Sequence, residues 1–470
     1  METSLHNLWR ESRRRFRIWF LVFLTTAGLL GFMDNASNGG AEEGKHLVLH
    51  LDEVIRRTIQ KSPDIAAVLS EIAGAKSDLK QVEAAYYPQG ESNTLVGPVK
   101  NAVQPAIEGR RITDPSPDFS IGVFGRTDLT MTQPLYTFGK LSNRRESAVR
   151  GLAAKEQTLV QRENETALRV KELYYALVLA KMGVEAARDA LSYFDEARAR
   201  MKRLLEMGSS NVLESDLYRI DVYAADTLRA KAEAQKGVDL AYFALRSLMQ
   251  LPPGTEFEPA DKTLSVREED LGEGDSYIRK ALANRPEFKQ LNEAVAAQKA
   301  SAEAARSDLY PSFFSALSGS LAGAPGRETF HNAYIPDQFN HAYIGIVGGL
   351  NWHFDFGILR ARVEKERAQL DKLLHIRASA KLNIPVEVVK YYREVVQWKV
   401  AVEAYDKGAT AARKWIVAAI SNFDMGVGTA DDMLRSMEKY GQNRGKYLEA
   451  LFTYSMSLAW LEYATGVRSW

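Results

Sequence analysis

The sequence predicts a mostly α-helical chain, internally duplicated, whose long helical hairpins are joined to a few strands of the sort that build membrane β-barrels. Three observations carry that reading. Two turn segments, Met207-Gly208-Ser209-Ser210-Asn211-Val212-Leu213-Glu214 and Met425-Gly426-Val427-Gly428-Thr429-Ala430-Asp431-Asp432, stand 218 positions apart. Two helical patterns are bracketed by prolines at one spacing, Pro63 to Pro88 and Pro286 to Pro311. Between each bracketed helix and its turn lies a segment in which apolar residues alternate with period two.

The turns read as tips of helical hairpins. Gly208 and Gly426 can each end a helix by taking positive φ. Asn211 and Thr429 then stand where a cap for the next helix is needed, and Glu214 and Asp432 complete Asn-x-x-Glu and Thr-x-x-Asp capping boxes. Before each tip the apolar period is close to 3.5. In the first half the stripe is Leu173, Leu177, Ala180, Val184, Ala187, Leu191, Phe194, Met201 and Leu205, broken at Arg198. In the second it runs from Tyr391 through Val395, Trp398, Val402, Ala409, Ile416 and Ala419 to Phe423. Such a seam is that of a coiled coil. From Gly139 to Gly208 and from Gly357 to Gly426 is 69 residues in each half, which as helix would span about 100 Å. Pro385 falls inside the second long helix, where a kink is expected.

The bracketed helices open at Pro63 and Pro286, where proline suits a first turn, and close before Pro88 and Pro311. The alternating segments are Ile121 to Met131 and Ile344 to Trp352, with weaker strand candidates at Ser92 to Val99 and Phe313 to Leu321. Between them, Gly97 to Asp118 and Ala322 to His341 read as exposed loops. Each half thus supplies one strand hairpin. Four strands cannot close a barrel on their own, because even small barrels need about eight. Several copies must share one.

Composition limits the alternatives. The 470 residues carry 61 basic and 60 acidic side chains, a net charge of +1, so no basic surface for nucleic acid is indicated. With no cysteine, disulfides, thiolate metal sites and an N-terminal lipid anchor are excluded. Five arginines between Arg10 and Arg17 precede the apolar run Ile18 to Met33, and Gly39-Gly40-Ala41 suits cleavage. We read residues 1–41 as an export signal, 42–255 as the first repeat and 256–470 as the second. An uncleaved anchor is the competing reading of the run, which at 16 residues is short for a span.

Helix, strand pair, long helix, tip and returning helix, all repeated, resembles the TolC-type outer-membrane efflux proteins, from about Leu49 to Gly466. The residues carrying the resemblance are Pro63-Asp64 and Pro286-Glu287, Tyr87-Pro88 and Tyr310-Pro311, Gln133-Pro134-Leu135 with Gly139, and the two tips. The resemblance implies a homotrimer with one twelve-stranded barrel in outer-membrane lipid and a helical tunnel across the periplasm. It further implies a periplasmic adaptor, or membrane fusion protein, meeting the tips, and an inner-membrane pump or secretion ATPase that supplies the energy. By position, Gly208, Ser209, Ser210, Gly426, Val427, Gly428 and Thr429 fall where the family docks its adaptor. Glu214, Phe423, Asp431 and Asp432 fall at the closed aperture. A ring of carboxylates there would attract cations. The chain departs from the best-known gate of the family at Phe423, Gly428 and Arg435, where that gate has a tyrosine, an arginine and an acid. A lock of that composition is not expected here.

No catalytic, cofactor or metal constellation assembles. The seven histidines, His331 and His341 in one loop among them, show no paired ligand spacing. Gly426-x-Gly428 lacks the third glycine of a dinucleotide site, and Ser318-Gly319-Ser320 sits in a strand candidate. Tyr86, Tyr87, Tyr136, Phe138, Tyr310, Trp352 and Phe354 cluster near strand ends, as in an interfacial girdle. The expected function is that of an exit duct for a tripartite efflux or type I secretion system. The rival is a non-conducting periplasmic scaffold anchored by Ile18 to Met33, which has no need of the strands.

Overall fold

The structure is a computed structural model that describes residues 46–102, 107–108, 111–112, 120–209, 212–266, 271–329, 331 and 333–468. The expected signal at 1–41, Ser210 and Asn211 lie outside them. The chain divides into a large body, His46–Leu251 with Phe257–Trp470, and a small unit, Met1–Lys45 with Pro252–Glu256. The described part of the small unit is a turn in which the Thr255 N–H donates to the Pro252 carbonyl at 3.2 Å.

The body opens with β1 (His46–Leu49), α1 (Leu51–Lys61) and α2 (Pro63–Ala84). Pro63 takes the first helical position of α2, and the Ser62 hydroxyl accepts the Ile65 N–H at 3.4 Å. Then come β2 (Gln89–Lys100), the short pair β3 (Ile107–Glu108) and β4 (Arg111–Ile112), β5 (Ile121–Tyr136), α3 (Lys140–Glu206) and α4 (Glu214–Leu248). The second half has β6 (Glu256–Pro259), α5 (Gly274–Asn284), α6 (Pro286–Ser307), β7 (Ser312–Gly323), β8 (His341–Asn351), α7 (Ile358–Asp424) and α8 (Ala430–Thr465). α2 and α6 each have 22 residues, and α3 and α7 each have 67. The small sheet of β1 with β6, the short helices α1 and α5, and the pair β3–β4 are elements the hydrophobic pattern does not announce.

Each long helix starts directly after a glycine with positive φ, Gly139 at 87° and Gly357 at 131°. α7 runs unbroken through Pro385. The 3.5-residue stripe becomes the buried seam: Leu177, Val184, Ala187, Phe194 and Met201 on α3, and Val395, Val402, Ala409, Ile416, Ala419 and Phe423 on α7. At the break at Arg198, the neighbouring Ala197 is buried instead. Each large side chain so buried contributes about 1.5–3 kcal/mol, so the seam holds the hairpins together without any single dominant contact.

Far from the tips, ion pairs tie the end of α8 to the other elements. The Lys171 ammonium on α3 lies 2.6 Å from the Glu462 carboxylate on α8, with both side chains mostly out of water. Arg285 pairs with Glu287 at 3.3 Å and with Glu387 of α7. The Tyr463 hydroxyl donates to Glu287 at 3.2 Å, and burial pushes its pKa up. Lys171→Met, which removes a buried cation from beside Glu462, is expected to destabilise the assembled protein by about 3 kcal/mol. A denaturant titration against the wild type checks this, and an unchanged midpoint would mean that water compensates for the lost pair.

The strands form one antiparallel four-stranded sheet in the order β2-β5-β7-β8. They extend beyond the sequence expectation, most of all β5, which continues to Tyr136 through an irregularity between Pro134 and Tyr136. β2 runs on to Lys100, into the first segment read as a loop. The second loop expectation needs a larger correction. Ala322 and Gly323 still belong to β7, His341 belongs to β8, and Ala322 and Ala324 are buried rather than exposed.

Candidate functional site

Two parts of the body can act on something outside it: the sheet, which has two chemically different faces, and the hairpin tips. Residues opposite one another in a ladder put their side chains on the same face, so the register sorts the strands. Met131, Leu317 and Ile346 form one row, and Tyr136, Phe313 and Leu350 another. The opposite face carries Asn93, Asp128 and Ser320 in one row, and Glu91, Thr130 and Ser318 in the next. Along β5 and β7 one face is therefore mainly apolar and the other mainly polar, with Tyr343 and Gly345 of β8 ending the two polar rows, a distinction the glycines obscure in the bare sequence. The sheet's outer strands, β2 and β8, each have one unpaired edge.

At the strand ends nearest the helices the aromatic residues meet as a belt. Phe138 lies edge-on to Tyr136 at 4.7 Å and stacks on Tyr310 at 5.4 Å. Trp352 packs on Phe354 at 4.6 Å and donates its indole N–H to the Leu309 carbonyl at 3.2 Å. Tyr87, Tyr136 and Phe354 are exposed.

Both tips end in the expected way. Gly208 has φ 73° and Gly426 φ 77°. The Ser209 N–H reaches back to the Leu204 carbonyl at 3.0 Å, and the Val427 N–H to that of Asn422 at 3.0 Å. These bonds satisfy carbonyls that a helix end leaves open. The second tip is tighter. A Cβ on Gly428 would stand 2.8 Å from the Phe423 nitrogen and 2.9 Å from the Asn422 carbonyl carbon.

The capping boxes differ from expectation. α4 begins at Glu214, with Leu213 as its cap residue, so Glu214 is the first helical residue; its expected partner Asn211 lies outside the described residues. Asp216 accepts the Leu213 N–H at 3.0 Å. Glu214 instead accepts the Tyr218 hydroxyl at 3.1 Å. At the other tip, the Thr429 hydroxyl accepts the Asp432 N–H at 3.1 Å, as expected. The Asp432 carboxylate, however, accepts the Trp415 indole N–H at 3.2 Å. Residue spacing cannot show which carboxylate a neighbouring helix claims.

The tips are joined across the two hairpins. Phe194, Met201, Val212 and Ile220 of the first share a buried cluster with Ile416, Phe423, Met433 and Leu434 of the second. Around it, Arg200 of α3 pairs with Asp424 of α7, and Arg219 of α4 pairs with Asp431 of α8. Arg435 also reaches Asp431, at 2.6 Å. The Arg219 hydrogen bond, with help from Arg435, holds the Asp431 carboxyl below the usual carboxylate range. Sequence reasoning found Asp431 and Asp432 but missed Arg200, Arg219 and Asp424, because their partners lie over 200 residues away.

A folded-state pKa held low means that the contact is intact above the ordinary carboxylate pKa, about 3.9, and is lost as pH falls further. The tips are accordingly expected to loosen only below about pH 4. Limited proteolysis at the tips as a function of pH checks this. Loosening between pH 6 and 7 would implicate a different group.

Two helical hairpins joined to a two-faced sheet with two unpaired edges define the class of protein. The sequence profile of the family described as Outer membrane efflux protein matches residues 124–249 and 277–467. The chain belongs to that family, whose members are outer-membrane channels extending into the periplasm rather than enzymes.

Among curated relatives, it is similar to the Cation efflux system protein CusC of Escherichia coli (strain K12), with 24% identity over 318 residues. That alignment covers 66% of this chain and 64% of the relative, so the chain spans less than two thirds of the relative's length. Among solved structures, a CusC crystal structure superposes with a TM-score of 0.75 at 17% identity, covering 90% of this chain and 94% of that one. The outer-membrane channel OprN gives 0.73 at 17% identity, over 88% of this chain and 89% of that one. VceC from Vibrio cholerae gives 0.72 at 16% identity, over 89% and 96%. These structures share the fold.

Proposed function

We propose that three copies of this chain close one twelve-stranded barrel and one helical tunnel, the passive exit duct of a tripartite efflux or type I secretion system. The observation that carries the reading is the four-stranded sheet with a polar face, an apolar face and two unpaired edges. In lipid an open edge is not tolerated, and four strands are too few to curl shut. Pairing β2 of one copy with β8 of the next satisfies both edges. The apolar face then meets lipid and the polar face lines water. The aromatic belt would sit at the interface nearest the helices, which would extend away from it into the periplasm. Residues 1–41 would direct export, and 42–255 and 256–470 would be the two repeats.

At the far end the tips would form the gate. Gly208, Ser209, Ser210, Gly426, Val427, Gly428 and Thr429 would face a periplasmic adaptor that connects to an inner-membrane pump or secretion ATPase. Arg219–Asp431 and Arg200–Asp424 would hold each second hairpin against the first, in place of the tyrosine and arginine contacts the chain lacks. Phe423 would anchor this closed packing from the buried side. Glu214 and Asp432 would add negative charge at the mouth. Photo-cross-linking tests the docking assignment. A photoreactive residue at the exposed Val427 should capture a periplasmic protein with an adaptor's helical hairpin, and one at Ile346 should capture none. The same adduct from both positions would reject the assignment.

A further inference from the structure

We propose that the segment between β7 and β8 forms a second constriction of the duct, at its outer end and independent of the tips. This rests on the reading that the polar face of the sheet lines the lumen. The strand ends at Gly323 and His341 are those opposite the helices, so in that reading they face the cell exterior.

Small residues on the inner face of a single-layer sheet are shielded by their ladder neighbours, as Ala316 is at 7% exposure, and more fully where a segment also folds over them. Ser320 is 4% exposed, Ala322 7% and Ala324 1%. The cover is the segment itself. Phe339 sets its ring edge-on to Phe124, with centroids 5.4 Å apart. Phe124 lies on the same side of β5 as Arg126 and Asp128, the polar side. The stretch that carries Phe339 therefore lies against that face, while Tyr334 and Ile335 are exposed.

It is held there at both ends. The Arg327 guanidinium lies 4.1 Å from the Phe339 centroid and donates to the Lys100 carbonyl at 2.8 Å, which ties the segment to the end of β2. The Ala102 N–H donates to the Gly326 carbonyl at 3.2 Å, and the Glu328 N–H to that of Ala102 at 3.1 Å. Asn340 clasps the segment to itself, accepting the Ala324 N–H at 2.8 Å and donating to the Arg327 carbonyl at 3.1 Å. His341 sits between the Asp337 carbonyl and the Ser320 hydroxyl, each at 2.8 Å. The Asn340 and His341 contacts would serve a loop that merely capped the strands; the Phe339 contact with Phe124 and the Arg327 tie to the end of β2 would not be needed there. Repeated three times around the barrel, the inward turn narrows the mouth, with Arg327 and Phe339 as the latch of each copy.

The absence of cysteine permits a direct test in whole cells. Thr130→Cys places a thiol on the polar face below the segment, and a bulky membrane-impermeant maleimide reports access from outside. Labelling should be slow with the native segment and at least about tenfold faster when Phe339→Ala and Arg327→Ala remove the latch. Arg219→Glu at the tips should leave it unchanged. Equal, fast labelling with and without the latch would overturn the constriction and leave the lumen reading intact. Labelling only by a lipid-soluble maleimide would overturn both. If the double alanine variant does not assemble, Phe124→Cys with Phe339→Cys decides the matter. A short bis-maleimide bridges them only if the segment lies over the polar face, and the absence of a bridge rejects the proposal.

Discussion

Arg219→Glu is expected to raise the open fraction of the purified assembly in planar bilayers by about tenfold, because small exposed terms add when three copies move together. The substitution sets a carboxylate against Asp431, leaving Arg435 as that residue's remaining cationic partner. The buried cluster of Phe423, Met433 and Leu434 is untouched, so assembly should be normal. High salt should raise the wild-type open fraction toward that of the variant, since an exposed pair is screened within about 10 Å at 0.1 M. Adding Asp431→Arg to Arg219→Glu restores opposite charges but sets the introduced guanidinium against that of Arg435, so rescue should be partial. An Arg219→Glu channel as closed as the wild type would show that the apolar cluster alone holds the tips.

Gly428→Val should disrupt the second tip more than Gly208→Ala disrupts the first. At Gly208 an added Cβ meets nothing within 4 Å, and only the positive φ is strained, costing about 1 kcal/mol. At Gly428 the added atoms run into the backbone of Asn422 and Phe423, which cannot move without dragging Phe423 from its buried seat; overpacking of this kind costs about 1–3 kcal/mol. Limited trypsin digestion should cut after Arg435 in the valine variant well before it cuts the wild type. Cross-linking from Val427 should fall in parallel. Equal protection of Gly428→Val and wild type would mean that the turn has slack the geometry does not show.

The large features were legible because they rest on periodicity and on equal spacing within one chain. The stripe from Leu177 to Met201, the glycines at the tips and the two proline-bracketed helices each leave a local signature. What stayed hidden depends on neighbours distant in sequence. Gly345, Gly348 and Gly349 blur the alternation of β8, and only its register against β7 separates the two faces. Arg219 and Asp431 look like ordinary helix-surface charges until the hairpins are packed together. Ala322 to His341 reads as an exposed loop from its Pro, Gly and polar residues, and Tyr334 and Ile335 are exposed, but Phe339 and Arg327 tie the segment to the sheet through residues distant in sequence. The start of α4 is hard to place for another reason, because competing caps lie within a few residues and Asp216 supplies the bond at Leu213.

The central claim is that the open-edged sheet is completed by other copies of the chain, and the native mass of the detergent-extracted protein tests it most directly. The expected result is a species of three chains, recovered with the outer membrane and resistant to mild dissociation. A monomer or dimer released with the inner membrane would contradict the shared barrel and leave the edges of β2 and β8 to be covered in some other way.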